Sequence, residues 1–208
     1  MSEAKIKICG LTTAGDARMA ASLGADYLGI IFAESPRRID VARGQEIRAA
    51  VPAAALVGVF KDQPLADVEG ISHACNVDLV QLHGAETPSY CDDVLQRTGK
   101  PVVKAFRAPR APEAAELAAF GTTSYFLFDL DRDAVDETTA IEHAWDDVAT
   151  MRSLGFRIFV AGGIDASNVR AVLARTHAFA VDVCRGVEAS PGIKNAQVLE
   201  QFMKEARA

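Results

Sequence analysis

The sequence has few cysteines and no long apolar run. Its four cysteines lie far apart, at Cys9, Cys75, Cys91 and Cys184. No Cys-x-x-Cys pair occurs, so neither the ligand spacing of a structural zinc site nor a disulfide framework is present. The longest apolar stretch, 49–60, is broken by Pro52 and Gly58 and is far shorter than a bilayer-spanning helix. Residues 1–10 carry no signal-peptide pattern, and we therefore expect a cytoplasmic protein without a metal.

The sequence also lacks an excess of positive charge. Lys and Arg number 22 against 28 Asp and Glu, a formal charge of −6 at pH 7, and no blocks of like charge occur. This balance argues against nucleic acid or an anionic membrane as a partner, but it is compatible with a small anion held by local backbone dipoles. Half of the 208 residues are hydrophobic, which is enough for the core of one domain spanning 1–208. We expect a small-molecule partner.

Short β-branched and aromatic runs alternate with Ala- and Leu-rich segments of helical spacing. Strands are predicted over Lys5–Cys9, Tyr27–Phe32, Leu56–Phe60, Asp78–Leu82, Val102–Phe106, Tyr125–Asp129, Arg157–Ala161 and Phe179–Val183. Helices are predicted, for example, over Asp16–Leu23, Asp40–Ala50, Pro88–Arg97, Pro112–Phe120 and Ser167–Arg175. The strand segments are apolar almost throughout, which is typical of strands buried on both faces. Their mean spacing of about 25 residues matches a strand, a crossover helix and two loops.

Eight parallel units can close into a barrel or lie open as a doubly wound sheet. The dinucleotide-binding pattern GxGxxG is absent after the first predicted strand, where Cys9-Gly10-Leu11-Thr12 stands instead. The sequence therefore favours an α/β fold of the (β/α)8 TIM-barrel type. In such barrels the chemistry takes place in the loops that follow the strands, and phosphate groups are often bound after strands 7 and 8.

The predicted strand ends carry most of the polar motifs. They are Cys9-Gly10, Ser35-Pro36-Arg37, Gln81-Leu82-His83-Gly84, Asp129, Gly162-Gly163 and Asp182 to Glu188. Further segments of the same pattern are Lys7-Ile8-Cys9-Gly10, Gly24 to Gly29, Lys104 to Arg107 and Gly186 to Gly192. Taken along the chain, these motifs cover nearly its whole length, and in type and order they resemble those of the phosphoribosylanthranilate isomerase family. The resemblance implies a (β/α)8 barrel that needs neither a metal nor an organic cofactor.

Two residues are candidates for acid–base chemistry. A cysteine at a strand end is most often a small buried apolar residue, and an aspartate after four apolar residues either caps the next turn or works in the barrel mouth. The resemblance makes Cys9 the general base and Asp129 the general acid. A thiolate needs a nearby positive charge or amide dipole that lowers the cysteine pKa, and Lys7 lies on the same strand face. Strands 1 and 6 are three steps apart in an eight-stranded ring, so their end groups should face each other across a substrate.

Four further side chains are candidates for substrate binding. The resemblance implies that Arg37 receives the anthranilate carboxylate, although an arginine followed by Arg38 is also typical of a solvated pair. Asp182 either orients the substrate amine or forms an ion pair inside the barrel. Gln81 and His83 are expected beside the substrate, with His83 as a neutral, hydrogen-bonded histidine.

The loops after strands 7 and 8 are candidates for phosphate binding. Gly162-Gly163 permits a close backbone approach to an anion, or simply forms a tight turn. Gly186 and the amides near it would supply the second half of the site. Cys184 and Arg185 stand where the resembled family usually has two serines. Arg185 either pairs with the phosphate or neutralises Glu188.

The segment after Asp129 departs from the family pattern. The family usually has a glycine-rich loop there, whereas this chain has no glycine between Gly121 and Gly155, and only Trp145 matches clearly. The segment instead carries the acidic residues Asp131, Asp133, Asp136, Glu137 and Glu142. Their charge, and the lack of residues that readily adopt φ > 0, predict poor closure over an anionic substrate and a raised KM.

The resemblance implies an isomerase of tryptophan biosynthesis. Such an enzyme catalyses the Amadori rearrangement of N-(5-phosphoribosyl)anthranilate to 1-(2-carboxyphenylamino)-1-deoxyribulose 5-phosphate. The divergent segment leaves two alternatives, a paralogous isomerase for another phosphoribosyl amine and a non-catalytic phosphosugar-binding barrel. A ligand-binding assay paired with a measurement of turnover distinguishes the two alternatives. For the assembly we expect a monomer or a homodimer.

Overall fold

The computed structural model of the chain describes residues 4–107, 112–129 and 138–208, with 138–143 described by their backbone only. The acidic segment after Asp129 falls mostly outside this range. Asp131, Asp133, Asp136 and Glu137 and the side chain of Glu142 lie outside the described residues. The poor closure expected from these charges therefore stays a prediction. Trp145, by contrast, is partly buried and packs against the hydrophobic core.

Eight parallel strands form a closed barrel in chain order, with β8 hydrogen-bonded to β1. They are β1 (Lys5–Ile8), β2 (Tyr27–Ile31), β3 (Ala55–Phe60), β4 (Leu79–Leu82), β5 (Val102–Arg107), β6 (Tyr125–Asp129), β7 (Ile158–Ala161) and β8 (Ala180–Val183). The ends of every predicted strand lie within one residue of the observed bounds, so the prediction of a (β/α)8 TIM barrel is confirmed. The apolar runs identified these strands because a barrel strand is buried on both faces.

A helix separates each barrel strand from the next, and another follows β8. The helices are α1 (Ala14–Ser22), α2 (Val41–Ala50), α3 (Leu65–Ala74), α4 (Pro88–Thr98), α5 (Ala114–Ala118), α6 (Thr138–Ser153), α7 (Val169–Thr176) and α8 (Ala196–Arg207). Between β8 and α8 lie a 3-10 helix, Arg185–Val187, and a hairpin of β9 (Glu188–Ser190) and β10 (Ile193–Lys194). Among the described helices, none is both long and apolar enough to cross a membrane.

Alternate residues of each strand belong to two separate cores. One set packs against the helices and includes Ile6 and Ile8 of β1. The other set fills the barrel interior and includes Phe159 of β7. Because Lys7 and Cys9 alternate with Ile6 and Ile8, their side chains belong to the interior set. The period of two thus brings the chemically active residues of the strands to the inside of the barrel mouth.

Candidate active site

A cavity of about 720 Å³ lies at the carboxyl ends of the barrel strands. It is lined by all of the residues that the sequence suggested for the site: Cys9, Arg37, Gln81, His83, Asp129, Gly162, Gly163, Asp182, Arg185 and Gly186. Because parallel strands end at one mouth, residues that are distant in the sequence share one cavity. Within the described parts of the chain, no group of three or more His, Cys, Asp or Glu side chains is arranged to hold a metal ion.

Cys9 lies directly after β1 and is almost fully buried. Its backbone amide donates a hydrogen bond of 2.9 Å to the Val183 carbonyl of β8. Its thiol lies over Gly29 of β2, where a Cβ atom would come within 2.7 Å of the Cys9 sulfur. The lack of a side chain at Gly29 therefore provides the space that the thiol occupies.

The pKa of Cys9 is raised above that of an ordinary cysteine. Burial is the largest cause because it disfavours the thiolate, and the charge of Asp182 acts in the same direction. Lys7 lowers the pKa of Cys9, as the sequence suggested, but it does not outweigh burial. The condition expected from the sequence for a thiolate, a nearby positive charge that lowers the cysteine pKa, is therefore met by Lys7 only in part, because burial raises the pKa by more.

A buried ion pair lies next to Cys9 inside the barrel. Lys7 Nζ is 2.7 Å from Asp182 Oδ2, and the side chains are 1% and 8% exposed. Burial lowers the pKa of Lys7, but the charges of Asp182 and Cys9 more than reverse this effect and leave the pKa raised. The second Asp182 oxygen, Oδ1, is buried and accepts no hydrogen bond from the described residues. A buried acceptor without a hydrogen bond lowers stability by about 1–3 kcal/mol. One Asp182 oxygen thus pairs with Lys7, and the other is available to accept a hydrogen bond from a substrate N–H.

Asp129 ends β6, three strands away from Cys9 around the barrel. Its Oδ2 lies 3.4 Å from Nε2 of His83, which is long for a hydrogen bond. His83 Nδ1 is in turn 2.9 Å from Nε2 of Gln81. With the Gln81 amide in this orientation, its NH2 group donates to Nδ1, and the Nε2–H of the ring points toward Asp129. Gln81, His83 and Asp129 thus form a polar row along one wall of the cavity.

Arg37 is held by a carboxylate that the sequence did not connect with it. Its Nε donates to Glu188 Oε1 at 2.7 Å and its Nη2 donates to Oε2 at 2.6 Å. Glu188 Oε1 also accepts a hydrogen bond of 3.1 Å from Lys194 Nζ. Burial raises the pKa of Glu188, but the Arg37 hydrogen bond and the Lys194 charge outweigh it and keep the pKa below its ordinary value. Arg37 is therefore fixed in a bidentate ion pair rather than solvated, and the partners of Glu188 include Arg37 and Lys194.

The loops after β7 and β8 approach each other closely at the cavity wall. Gly162 and Gly163 have φ values of 95° and 59°, in the region that favours glycine. The Asn168 side chain donates to the Gly163 carbonyl at 2.8 Å and fixes this loop. At Gly186 a Cβ atom would collide with the carbonyl oxygen of Ile164. Glycine at position 186 therefore allows the two backbones to form one continuous wall.

Comparisons with known proteins agree on one family. A family model described as N-(5'phosphoribosyl)anthranilate (PRA) isomerase matches residues 6–205. The N-(5'-phosphoribosyl)anthranilate isomerase of Geobacter sp. (strain M21) is 41% identical over 205 residues, which cover 98% of each chain.

Solved structures give the same result. Phosphoribosyl anthranilate isomerase from Thermotoga maritima has 28% sequence identity and a TM-score of 0.87 over 98% of each chain. A phosphoribosyl anthranilate isomerase in complex with reduced 1-(o-carboxyphenylamino)-1-deoxyribulose 5-phosphate has 28% identity and a TM-score of 0.82, again over 98% of each chain. The chain therefore belongs to the N-(5'-phosphoribosyl)anthranilate isomerase family.

Proposed function

We propose that the protein catalyses the Amadori rearrangement of N-(5-phosphoribosyl)anthranilate to 1-(2-carboxyphenylamino)-1-deoxyribulose 5-phosphate, a step of tryptophan biosynthesis. The observation that carries the proposal is the placement of Cys9 and Asp129 on one cavity, at the ends of β1 and β6. The loops after β7 and β8 lie between them around the barrel. A phosphate held by those loops places the ribose between an acid and a base.

The reaction starts with opening of the ribose ring. Asp129, in its protonated form, donates a proton to the ring oxygen. The bond between this oxygen and C1′ breaks, and the nitrogen lone pair forms a protonated Schiff base with C1′. Asp129 is left as a carboxylate, facing the Nε2–H of His83.

The second step is removal of the C2′ proton by the Cys9 thiolate. The electrons of the C2′–H bond move into the Schiff base and give an enolamine, which tautomerises to the ketone product. The substrate's own imine is therefore the electron sink. Burial disfavours the thiolate, but the positive charge of the Schiff base that forms next to C2′ stabilises it.

Three groups of residues hold the substrate in this orientation. Gly162-Gly163, Arg185 and Gly186 bind the phosphate with backbone amides and one guanidinium group. Arg37 pairs with the anthranilate carboxylate, and Asp182 Oδ1 accepts a hydrogen bond from the amine. Gln81 and His83 line the wall beside Asp129.

The test is turnover of N-(5-phosphoribosyl)anthranilate by the purified protein, with complementation of a tryptophan auxotroph that lacks the isomerase. We expect both to succeed. Binding of the reduced product analogue without turnover would identify a non-catalytic barrel. Turnover of another phosphoribosyl amine in preference to the anthranilate compound would identify a paralogous isomerase.

We further propose a cytoplasmic location and a monomeric or homodimeric state. Every described helix is too short or too polar to cross a membrane, and the substrate is a small phosphorylated intermediate. Sedimentation of the purified chain measures the assembly state, and a trimer or larger ring would contradict the proposal.

Replacing Gly29 with alanine tests the position of the thiol. The added Cβ would lie 2.7 Å from the Cys9 sulfur, so the thiol must leave its present position. We expect kcat to fall by about 10²-fold, the effect of an ångström-scale displacement of a reacting group. Gly70→Ala on α3 is the matched control, since a Cβ there has nothing within 4 Å. A folded Gly29→Ala protein with the wild-type kcat would contradict the placement of Cys9.

Replacing Lys7 with methionine tests how the thiolate is formed. Lys7 lowers the pKa of Cys9 and Asp182 raises it by less. A base must lose its proton to act, so kcat/KM rises with pH through the pKa of Cys9. We expect Lys7→Met to move this rise to higher pH. The double variant Lys7→Met/Asp182→Asn, which leaves no unpaired buried charge, should show a smaller shift in the same direction. An unchanged pH profile in both folded variants would remove Lys7 from this role.

A further inference from the structure

Arg37 lines the cavity and is hydrogen-bonded on one edge to a residue that lies outside it. Its Nε and Nη2 atoms both donate to the Glu188 carboxylate, which leaves the other edge of the planar guanidinium group for a ligand. Glu188 follows the 3-10 helix after β8 and does not line the cavity. A bidentate pair of this kind fixes the plane of the guanidinium group and therefore the direction in which Arg37 presents its remaining donors.

Lys194 also contacts the Glu188 carboxylate. Its side chain is 0% exposed, and Nζ donates 3.1 Å hydrogen bonds to Glu188 Oε1 and to the Cys184 carbonyl. Lys194 lies on β10, directly across the hairpin from Glu188 on β9, and it does not line the cavity. Burying a lysine costs free energy unless its charge is paired. Glu188 is already paired with Arg37, so the second cation on the same carboxylate needs an electrostatic explanation.

The formal charges of the three side chains supply that explanation. Arg37 and Glu188 alone sum to zero, so a carboxylate bound to Arg37 would meet a neutral pair. Lys194 brings the sum of the cluster to +1. Cys184, whose carbonyl bonds Lys194, adds no charge through its thiol, because burial above all raises its pKa to about 12. Asp16, at the start of α1, is partly exposed and accepts a hydrogen bond from the backbone amide of Lys194 rather than from its ammonium group.

We infer that Glu188 and Lys194 are positioning residues for carboxylate recognition: Glu188 orients Arg37, and Lys194 offsets the charge of Glu188 so that Arg37 attracts the substrate carboxylate. The inference deepens the proposed function and rests on it, because the carboxylate is that of the anthranilate ring. It assigns part of the substrate specificity to two residues that do not touch the substrate.

The test compares two ligands that differ only in the carboxyl group. One is reduced 1-(o-carboxyphenylamino)-1-deoxyribulose 5-phosphate, and the other is the same compound with an unsubstituted phenyl ring. Calorimetric titration measures the Kd of each for wild type and for Lys194→Met, whose side chain is of similar length. We expect Lys194→Met to weaken binding of the carboxyl-bearing ligand by about tenfold, the order expected when one unit charge several ångströms away is removed at the effective dielectric of a protein. The Kd of the carboxyl-free ligand should not change.

A double variant separates the charge effect from a structural one. Lys194→Met/Glu188→Gln removes one charge of each sign, so the cluster again sums to +1 with Arg37 alone. We expect it to recover part of the affinity for the carboxyl-bearing ligand, because the amide introduced by Glu188→Gln offers Arg37 one acceptor oxygen instead of two. If Lys194 only supported the hairpin, Lys194→Met would weaken the binding of both ligands equally, and Glu188→Gln would not restore it. That result would overturn the inference. Equal Kd values for wild type and Lys194→Met would also overturn it.

Two further measurements keep the outcome unambiguous. If Lys194→Met fails to fold, Lys194→Gln removes the same charge and keeps an amide that can donate to Glu188. The affinity for the carboxyl-bearing ligand relative to the carboxyl-free ligand should then fall as in Lys194→Met, and an unchanged ratio would overturn the charge argument. Failure of the proposed function has a different signature: the wild-type protein would bind neither ligand or would not turn over the substrate. Wild-type turnover together with unchanged ligand ratios in all variants rejects only the role of Glu188 and Lys194.

Discussion

Cys9→Ala should lower kcat by about 10²- to 10⁴-fold, the usual contribution of a positioned general base. Alanine keeps the Cβ atom that packs at the end of β1 but has no group that can accept the C2′ proton. The barrel should stay folded, because only one sulfur atom is removed. We expect a loss of stability of about 1 kcal/mol, the centre of the range for single substitutions. Steady-state kinetics and thermal unfolding, measured on the same preparation, check both parts.

Cys91→Ala is the matched control for this experiment. Cys91 is 1% exposed on α4 and packs in the layer between strands and helices, so its loss should reduce the Tm without a comparable loss of kcat. The reduced product analogue should bind Cys9→Ala with nearly the wild-type Kd, because the proposed base does not anchor the ligand. A folded Cys9→Ala protein that retains most of its turnover would exclude Cys9 as the base.

The strands could be predicted because their sequence signal is local. In β6, Tyr125–Asp129, the four apolar residues end one position before the strand does, and the other predicted strand bounds agree to within one residue. Helix ends were less predictable. A helix was predicted over 112–120, whereas α5 spans only Ala114–Ala118. The stability of so short a helix depends on tertiary packing more than on the spacing of its apolar residues.

The composition of the cavity wall was predictable for a related reason. Once the fold is a closed parallel barrel, every strand end lies at one mouth, so Gln81 and Arg185 must line the same cavity whatever their separation in the sequence. The resemblance to a known family then suggested roles for the residues at those ends. Family membership is confirmed by the comparisons, whereas the individual roles remain predictions for the experiments described above.

The electrostatics of the site could not be predicted from the sequence. Arg37 and Glu188 are 151 positions apart. Lys194 follows a turn, and the sequence there does not distinguish a buried lysine from an exposed one. Likewise, the sequence offered Lys7, two positions before Cys9, as a charge that could lower the cysteine pKa. Burial outweighs that charge, and the degree of burial depends on how closely Gly29 lets the thiol pack, which is a tertiary property.

Asp129→Asn should cause the second large loss of activity, again about 10²- to 10⁴-fold in kcat. Asparagine has nearly the same shape as aspartate, but its amide cannot transfer a proton to the ring oxygen, so the ribose stays closed. Asp93→Asn, a change at an exposed position of α4, is the control and should leave turnover unchanged. Turnover of N-(5-phosphoribosyl)anthranilate and the Kd of the reduced product analogue are measured for both variants.

The reduced analogue gives this experiment its specificity, because it is already an open chain and needs no ring-opening proton. Asp129→Asn should therefore bind it about as tightly as wild type, while turnover of the closed substrate falls. If turnover falls by less than about tenfold, well below the range for general acid catalysis, another group supplies the proton. The nearest candidate is His83, whose Nε2 lies 3.4 Å from Asp129.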